Sequence, residues 1–115
     1  MSKQNPPFVV ADPDLIEPVA DGIKRRLLAY GPDLMAVKVW FEEGAIGYQH
    51  QHIHTQVAYV ESGEFEAMID GETQILRAGD SFYVAPNKLH GAVCKKAGVL
   101  IDIFNPQRED FLKGE

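Results

Sequence analysis

The sequence predicts an all-β domain, either a sandwich or a barrel. Short runs of alternating apolar and polar residues recur along the chain, and turn residues separate them roughly every eight to twelve positions. No internal repeat, low-complexity segment or coiled-coil heptad interrupts this pattern. The chain has 115 residues, of which 45% are hydrophobic, so residues 1–115 are expected to form one domain with a single core.

Prolines at positions 6, 7, 13 and 18 exclude a long helix near the start of the chain. Residues 8–10 are predicted to form a short edge strand. Asp12 is placed to cap a single helical turn that begins at Pro13, because proline is favoured at the first position of a helix.

Beyond residue 20 the predicted strands follow one another with short turns. Turn signals lie at residues 31–33, 61–63, 78–80 and 86–88, and Asp70-Gly71 predicts a hairpin. Asn105-Pro106 ends the last strand, and residues 108–112 are predicted to form a short helical turn. The predicted strands are residues 23–30, residues 34–42, a strand that starts after Gly44 and carries the histidines on to Val60, residues 64–69, 73–76 and 81–85, a strand that starts at His90, and residues 99–104.

The net charge of −6 argues against a nucleic acid or an anionic membrane as partner. It does not exclude a small anionic substrate, because a local arginine or a metal can outweigh the net field. Cys94 is the single cysteine and cannot form an internal disulfide, so a reducing compartment is expected. The sequence shows neither a signal-peptide pattern nor a transmembrane segment, and a cytoplasmic location is expected.

Three histidines stand at alternate positions, His50, His52 and His54, and Gln56 follows two residues later. If the strand stays regular, all four side chains project from the same face. Neutral imidazoles that converge on one face usually bind a divalent metal. The alternative interpretation is a solvent-exposed histidine cluster without a ligand.

Leu100, Asp102 and Phe104 share one face of the last strand by period-two alternation. An acidic residue among apolar neighbours indicates either a solvent-exposed face or a general acid/base that points into the barrel. Arg108 is either a surface ion-pair partner or a bidentate clamp for a substrate carboxylate. The residues alone leave both questions open.

Two blocks of residues resemble the motifs of the cupin family. The first motif, G-x5-H-x-H-x3-E-x6-G, is matched in spacing at every position, with glutamine in place of glutamate. The matching residues are Gly44, His50, His52, Gln56 and Gly63. The resemblance implies a single-domain jelly-roll (double-stranded β-helix) barrel with a metal inside it.

The second block fits the motif G-x5-P-x-G-x2-H-x3-N more loosely. Gly79 and His90 keep their spacing, but Pro86 is one position late and Cys94 replaces the final asparagine. Asn87 occupies the glycine position, which suits a residue that tolerates positive φ.

The cupin resemblance implies one divalent metal held by four side chains, His50, His52, Gln56 and His90. Three imidazoles and an amide leave the metal its full +2 charge, which favours an anionic ligand and Lewis-acid chemistry over high-valent iron. Zinc, nickel, manganese and iron(II) are all candidates. His54 is the alternative ligand, although a local bend is expected to displace it from the metal.

The chain also resembles, more narrowly, the pectin-degradation cupins. The segments H-x-H-x-H-x-Q, YVESGEFE and DIFNPQREDFL carry this similarity. That family linearises 4,5-unsaturated uronate monosaccharides. The resemblance therefore implies a metal-dependent isomerase that acts on a small anionic sugar without a redox cofactor, and it implies roles in the reaction for Asp102, Phe104 and Arg108.

Two other activities stay open. An iron(II) dioxygenase could use the same scaffold, although glutamate would be commoner at position 56. A non-catalytic sugar-binding cupin is the second alternative. A homodimer is expected, because small cupins commonly pair through edge strands.

Overall fold

The computed structural model describes residues 4–112 of the chain. These residues form eight β-strands and two short 3₁₀ helices, and the all-β prediction is confirmed. The strands pair only in antiparallel fashion. The elements are η1 (Pro13–Leu15), β1 (Glu17–Ala20), β2 (Ile23–Gly31), β3 (Leu34–Phe41), β4 (Ile46–His50), β5 (Thr55–Ile69), β6 (Glu72–Arg77), β7 (Ser81–Val84), β8 (His90–Asn105) and η2 (Glu109–Leu112).

The strands form one hydrogen-bonded network in the order β1-β2-β3-β8-β5-β6, with β4 paired to β8 and β7 paired to β5. Strands β5 and β8 run side by side, with Gln56 opposite Phe104 near one end and Met68 opposite Gly91 near the other. The later half of β8 continues the pairing into β3 and β2, whereas its first residues pair with β4. The two long strands therefore belong to both layers of the jelly roll.

The long strands change layer at a bulge around Gly63, where the sequence predicted a turn. The predicted turn at residues 61–63 is wrong, because β5 continues through these residues with shifts in register. Gly63 has a φ of +84°, and a Cβ there would lie 2.6 Å from the Cα of Gly98 on β8. Glycine thus allows the two backbones to approach closely where the strands bend.

The predicted continuous histidine strand is also wrong. Strand β4 ends at His50 and β5 begins at Thr55, and residues 51–54 between them are irregular. Strand β4 pairs with the first residues of β8, whereas Thr55 lies opposite Asn105 at the far end of β8. Residues 51–54 have to cross from one layer to the other, which an unbroken strand could not do.

Backbone geometry confirms several smaller predictions. Asp12 caps η1, and its carboxylate accepts a hydrogen bond from the Asp14 N–H at 3.0 Å. Asp70 and Gly71 form the hairpin turn between β5 and β6, with φ values of +50° and +86°. Asn87 has a φ of +64°, as expected for a residue at the glycine position of the second motif.

Three strands differ from prediction. Residues 8–10 are not in a strand, and β1, which was not predicted, pairs with β2 at the edge of the sheet. The strands predicted to start at His90 and at residue 99 are one strand, β8. Edge strands and continuous long strands are poorly marked by local sequence, because tertiary pairing decides both.

The core lies between the two layers. Phe65, Met35, Val37 and Val60 are among its completely buried side chains. Phe41 packs edge-to-face on Phe65, with 5.1 Å between ring centroids. Toward the histidines the core ends at a cavity, which Val37 and Phe41 help to line. No helix within residues 4–112 is long and apolar enough to cross a membrane.

Candidate metal centre and adjoining cavity

Three histidines converge from strand β4, from the irregular segment that follows it and from the start of β8. The potential ligand atoms of His50, His52 and His90 all lie within 4.8 Å of one another. His50 ends β4 and lies opposite His90, the first residue of β8, while the irregular residues 51–54 carry His52. We call these three residues the histidine cluster.

The three imidazoles of the histidine cluster share one hydrogen-bonding pattern. Each Nδ1 lies 2.9–3.0 Å from a backbone carbonyl oxygen two positions away in the sequence. A carbonyl can only accept, so Nδ1 carries the proton and Nε2 presents its lone pair. Backbone support of this kind fixes the tautomer and orients a histidine toward a metal.

His90 has the environment of a ligand rather than of a core histidine. Its Nε2 is buried and has no hydrogen-bond partner within the part of the chain that the structure describes. Burial, which outweighs the hydrogen bond to the Lys88 carbonyl, lowers the pKa of His90 to about 4. The ring is therefore neutral at pH 7 and its unshared nitrogen can accept a cation.

Gln56 faces the histidine cluster with its oxygen. Its buried amide donates from Nε2 to Asp102 Oδ1 at 3.0 Å, which leaves Oε1 at 3.0 Å from His52 Nε2. With the His52 proton on Nδ1, both of these facing atoms are acceptors. Burial, followed by the charge of Arg108, lowers the pKa of His52 and so disfavours a second proton there. A bound cation would satisfy both atoms, and the residues thus fit a divalent metal.

His54 lies outside the histidine cluster. A bend at residues 53–54 separates it from the others, and its backbone carbonyl accepts the Nδ1–H of His52. Its ring lies 6.3 Å from the ring of Phe104, centroid to centroid. The group of histidines close enough to share a metal therefore consists of His50, His52 and His90, within the part of the chain that the structure describes.

Asp102 lines the cavity beside the histidine cluster, together with Leu100 and Phe104 from the same face of β8. Burial raises the pKa of Asp102 to about 6, although the hydrogen bond from Gln56 and the charge of Arg108 oppose the rise. The interior placement was one of the two alternatives that the sequence left open. A carboxyl group with this pKa can both accept and release a proton near neutral pH.

Arg108 is buried, in contrast to an ordinary surface ion-pair partner. Its Nε and Nη2 donate to the two carboxylate oxygens of Asp110 at 3.0 and 2.8 Å. Its guanidinium carbon lies 4.2 Å from the ring centroid of Phe111 and 5.0 Å from that of Phe104. Aromatic contacts and a bidentate ion pair thus fix the plane of the guanidinium and leave its Nη1 side without a hydrogen-bond partner among residues 4–112.

The last residue of β8 and the segment after it, residues 105–112, are together called the tail below. Asn105 Nδ2 donates to the Asp33 carbonyl at 2.6 Å, and Gln107 Nε2 donates to the Gly31 carbonyl at 2.9 Å. Asp33 lies in the turn between β2 and β3, and Gly31 is the last residue of β2 before that turn. The tail, which contributes Arg108 and Phe111 to the cavity lining, is therefore anchored by contacts far apart in sequence.

A cavity of about 230 Å³ joins these groups. Its polar and charged lining consists of Arg25, His50, Gln56, His90, Asp102 and Arg108. A larger depression of about 610 Å³ lies beneath the N-terminal segment, but none of the clustered histidines lines it, so the smaller cavity is the candidate site. Such a cavity, with neutral metal ligands, a basic side chain and a carboxyl of raised pKa, can bind a small anion and transfer a proton to it.

Sequence reasoning missed Arg25. It stands between Ile23 and Leu27, so period-two alternation places it on the same face of β2 as two apolar residues. A charged residue at an inward-facing position is the same signal that drew attention to Asp102.

Residues 37–104 match the family described as Cupin domain. The chain is similar to the pectin degradation protein KdgF of Dickeya dadantii (strain 3937), with 47% identity over 107 residues that cover 91% of this chain and 97% of the relative.

Two solved structures are similar to the whole fold. An RmlC-like cupin from Shewanella frigidimarina NCIMB 400 has a TM-score of 0.91 and 50% identity, and the match covers 94% of this chain and 97% of that one. KdgF from Halomonas sp. has a TM-score of 0.81 and 43% identity, with 84% and 89% of the two chains covered.

Proposed function

Because this chain belongs to the cupin family and is a homologue of the pectin degradation protein KdgF, we propose that it is a metal-dependent isomerase of unsaturated sugar acids. Its substrates are 4,5-unsaturated uronate monosaccharides, which it linearises to 4-deoxy-5-keto uronates. The histidine cluster and Gln56 hold one divalent metal.

The observation that carries this proposal is the position of Gln56. Its amide accepts no proton itself, yet it connects Asp102 to the histidine cluster through two contacts of 3.0 Å. A proton-transferring carboxyl group and a metal site are thus held side by side in one cavity. When bound there, a divalent metal supplies Lewis acidity toward the carboxylate and the ring oxygen of the sugar.

The reaction is an isomerisation in which atoms and electrons balance. Asp102 takes the proton of the anomeric hydroxyl, a carbonyl forms at C1, and the bond between C1 and the ring oxygen breaks. The electron pair of that bond forms an enolate over the former ring oxygen, C5 and C4. Asp102 then returns the proton to C4, which gives the open-chain 5-keto product. A carboxyl group with a pKa of about 6 suits both steps.

Arg108 and Phe104 act on binding rather than on protons. The Nη1 side of Arg108 donates to the substrate carboxylate, while Asp110 holds the opposite edge of the guanidinium. Phe104, which is almost completely buried at the cavity wall, packs against the sugar ring and excludes water.

The direct test adds purified, metal-loaded protein to an unsaturated uronate and follows the loss of the conjugated double-bond absorbance. The product should have the same mass as the substrate, and no oxygen should be consumed. Oxygen uptake would favour a dioxygenase instead. Saturable binding without turnover would favour a non-catalytic sugar-binding cupin.

We also propose that two copies form a homodimer in the cytoplasm. On the outward face of β5 and β7, Val57, Tyr59 and Tyr83 are 41% to 59% exposed, and Val57 lies opposite Tyr83. An apolar patch of this kind supports a contact through the sheet face rather than through an edge strand. Cys94, a buried free thiol, is compatible with a reducing compartment.

Sedimentation velocity tests the homodimer. The wild-type protein should sediment as a dimer, and Tyr83→Glu should shift it to a monomer. Tyr48→Glu, at a tyrosine that is exposed on β4, is the matched control and should remain dimeric. A monomeric wild-type protein would remove the homodimer from the proposal.

A further inference from the structure

Arg25 is the one polar group of the cavity lining to which the reaction above gives no role. The other polar lining residues either hold the metal, transfer the proton or bind the carboxylate. Arg25 reaches the cavity from β2, which is not a neighbour of β4 in the sheet. It therefore approaches the cavity from a different strand layer than His50.

The guanidinium of Arg25 is held in place through Nε, while its Nη groups remain available as hydrogen-bond donors. Its Nε donates to Glu17 Oε1 at 3.0 Å, and the side chain is only 19% exposed. Its central carbon lies 3.9 Å from the ring centroid of Phe111, the same ring that contacts Arg108. Neither Nη atom of Arg25 has a hydrogen-bond partner in residues 4–112. The two Nη groups, each with two N–H donors, belong to a side chain that lines the cavity, and they are therefore well suited to a ligand.

The chemistry of the substrate indicates what these donors meet. In a six-membered sugar ring, C2 lies across from C5, which bears the carboxylate, and C3 lies across from the ring oxygen. A sugar that directs its carboxylate and ring oxygen toward the histidine cluster and Arg108 turns its C2 and C3 hydroxyls away from the histidines. Arg25 lines the cavity from a different strand layer than His50 and is therefore placed to meet them. Both hydroxyls can accept hydrogen bonds from a guanidinium.

We propose that Arg25 binds the C2 and C3 hydroxyls of the unsaturated uronate and thereby determines which uronate the enzyme prefers. The proposal rests on the proposed function of the same site. Elimination by a lyase makes C4 and C5 trigonal, so galacturonate-derived and mannuronate-derived unsaturated uronates differ on the ring only in the configuration at C2. A residue that contacts this hydroxyl is placed to distinguish the two substrates.

The test measures kcat/KM of the wild-type protein and Arg25→Met for both unsaturated uronates. Methionine keeps length and the contact with Phe111 but removes every donor. For the preferred substrate, kcat/KM of Arg25→Met should be about tenfold to a hundredfold lower than that of the wild-type protein, which is the range for one or two hydrogen bonds from a charged donor. For the other substrate the decrease should be smaller. The ratio between the substrates should therefore fall toward one.

Arg77→Met is the matched control, because Arg77 also donates from Nε to a glutamate oxygen, at 2.9 Å to Glu64, on the exposed surface. It should leave both kcat/KM values unchanged. Arg25→Lys, which keeps the charge, should retain part of the preference and provides a second reading if the methionine variant folds poorly. Metal content and thermal midpoint are measured for every variant.

The outcomes separate the two proposals. An active wild-type enzyme whose substrate ratio is unchanged in both Arg25 variants would overturn the role of Arg25 alone. Metal-loaded wild-type protein that acts on neither uronate would overturn the proposed function and this inference with it.

Discussion

The two sides of the cavity are built in different ways. The histidine cluster uses neutral groups, and backbone carbonyls two residues away hold each imidazole in place. The side formed by Asp102 and the tail uses charged groups, which ion pairs, aromatic rings and contacts with the distant β2–β3 turn hold in place. The difference indicates that the arrangement of the histidine cluster depends on local backbone geometry, whereas the positions of Asp102 and Arg108 depend on long-range packing. Changes on one side should therefore reach the other side mainly through Gln56, which contacts both His52 and Asp102.

The largest effect is expected from the metal ligands. His90→Ala removes a buried nitrogen that has no other partner, so the purified variant should lose most of its metal and more than about 100-fold of its activity. His54→Ala, outside the histidine cluster, is the control and should keep its metal. Elemental analysis measures both. Full metal occupancy in His90→Ala would contradict the assignment, and metal loss in His54→Ala would make His54 a ligand.

Asp102→Asn should separate catalysis from metal binding. Asparagine can still accept the hydrogen bond from Gln56 but cannot shuttle a proton at neutral pH. Loss of a general acid/base typically lowers the rate roughly 100- to 10,000-fold, so kcat should fall while KM and metal content change little. Steady-state kinetics on an unsaturated uronate provides the measurement. A kcat equal to that of the wild-type enzyme would remove Asp102 from the mechanism.

Arg108→Ala should act mainly on KM, with an increase of about tenfold to a hundredfold. In the proposed function, Arg108 contacts the substrate carboxylate in both the ground state and the transition state, so its loss weakens both equally. Asp110→Asn should raise KM only a few-fold, because Phe104 and Phe111 still hold the guanidinium. Steady-state kinetics of both variants at equal metal content should show a larger increase of KM in Arg108→Ala than in Asp110→Asn. An unchanged KM in Arg108→Ala would indicate that Arg108 only forms a structural ion pair and does not bind the substrate.

The smallest effect concerns the pH dependence of the metal-free protein, which should stay folded after chelation because its core does not depend on the ion. The pKa of His90 falls from 6.5 to about 4 on folding, so its contribution to stability is present above pH 6.5 and is lost as the pH falls toward 4. The pKa of Asp102 rises from 3.8 to about 6, so acid stabilises the folded state through this group between pH 6 and 4. The two groups oppose each other.

Metal-free Asp102→Asn lacks the stabilising response to acid. Between pH 7 and pH 5 its free energy of unfolding should fall by roughly 1 kcal/mol more than that of the metal-free wild-type protein. Urea unfolding at the two pH values measures the difference. An equal fall in both proteins would contradict the raised pKa of Asp102, and loss of the folded state on chelation alone would contradict the independence of the core.

Local signals in the sequence predicted those parts of the fold and the site that depend on neighbouring residues. The hairpin at Asp70-Gly71, the cap at Asp12 and the positive φ of Asn87 were predicted because each rests on the chemistry of one or two residues. The motif resemblance implied that His50 and His90 belong to one metal site, and the structure places the two residues opposite each other.

Other parts could not be predicted because distant strands decide them. Residues 61–63 have the composition of a turn, but the approach of β8 makes them a bulge. The break at residues 51–54 follows from the different pairing of β4 and β5 on β8. The inward position of Arg25, by contrast, does not depend on distant strands. Its alternation with Ile23 and Leu27 already indicated this position in the sequence, but the residue was overlooked.

Strand β8 sets limits on how the length of this chain can change during evolution. It begins with His90 and carries Asp102 near its end. One inserted residue between them would turn Asp102 to the outer surface, and Ile101 or Ile103 would enter the cavity instead. Two inserted residues would restore the face but move Asp102 by roughly 7 Å relative to His90. We therefore expect relatives with this chemistry to vary in length at turns such as Asp70-Gly71, while the separation of these two residues stays constant even where the sequence between them diverges.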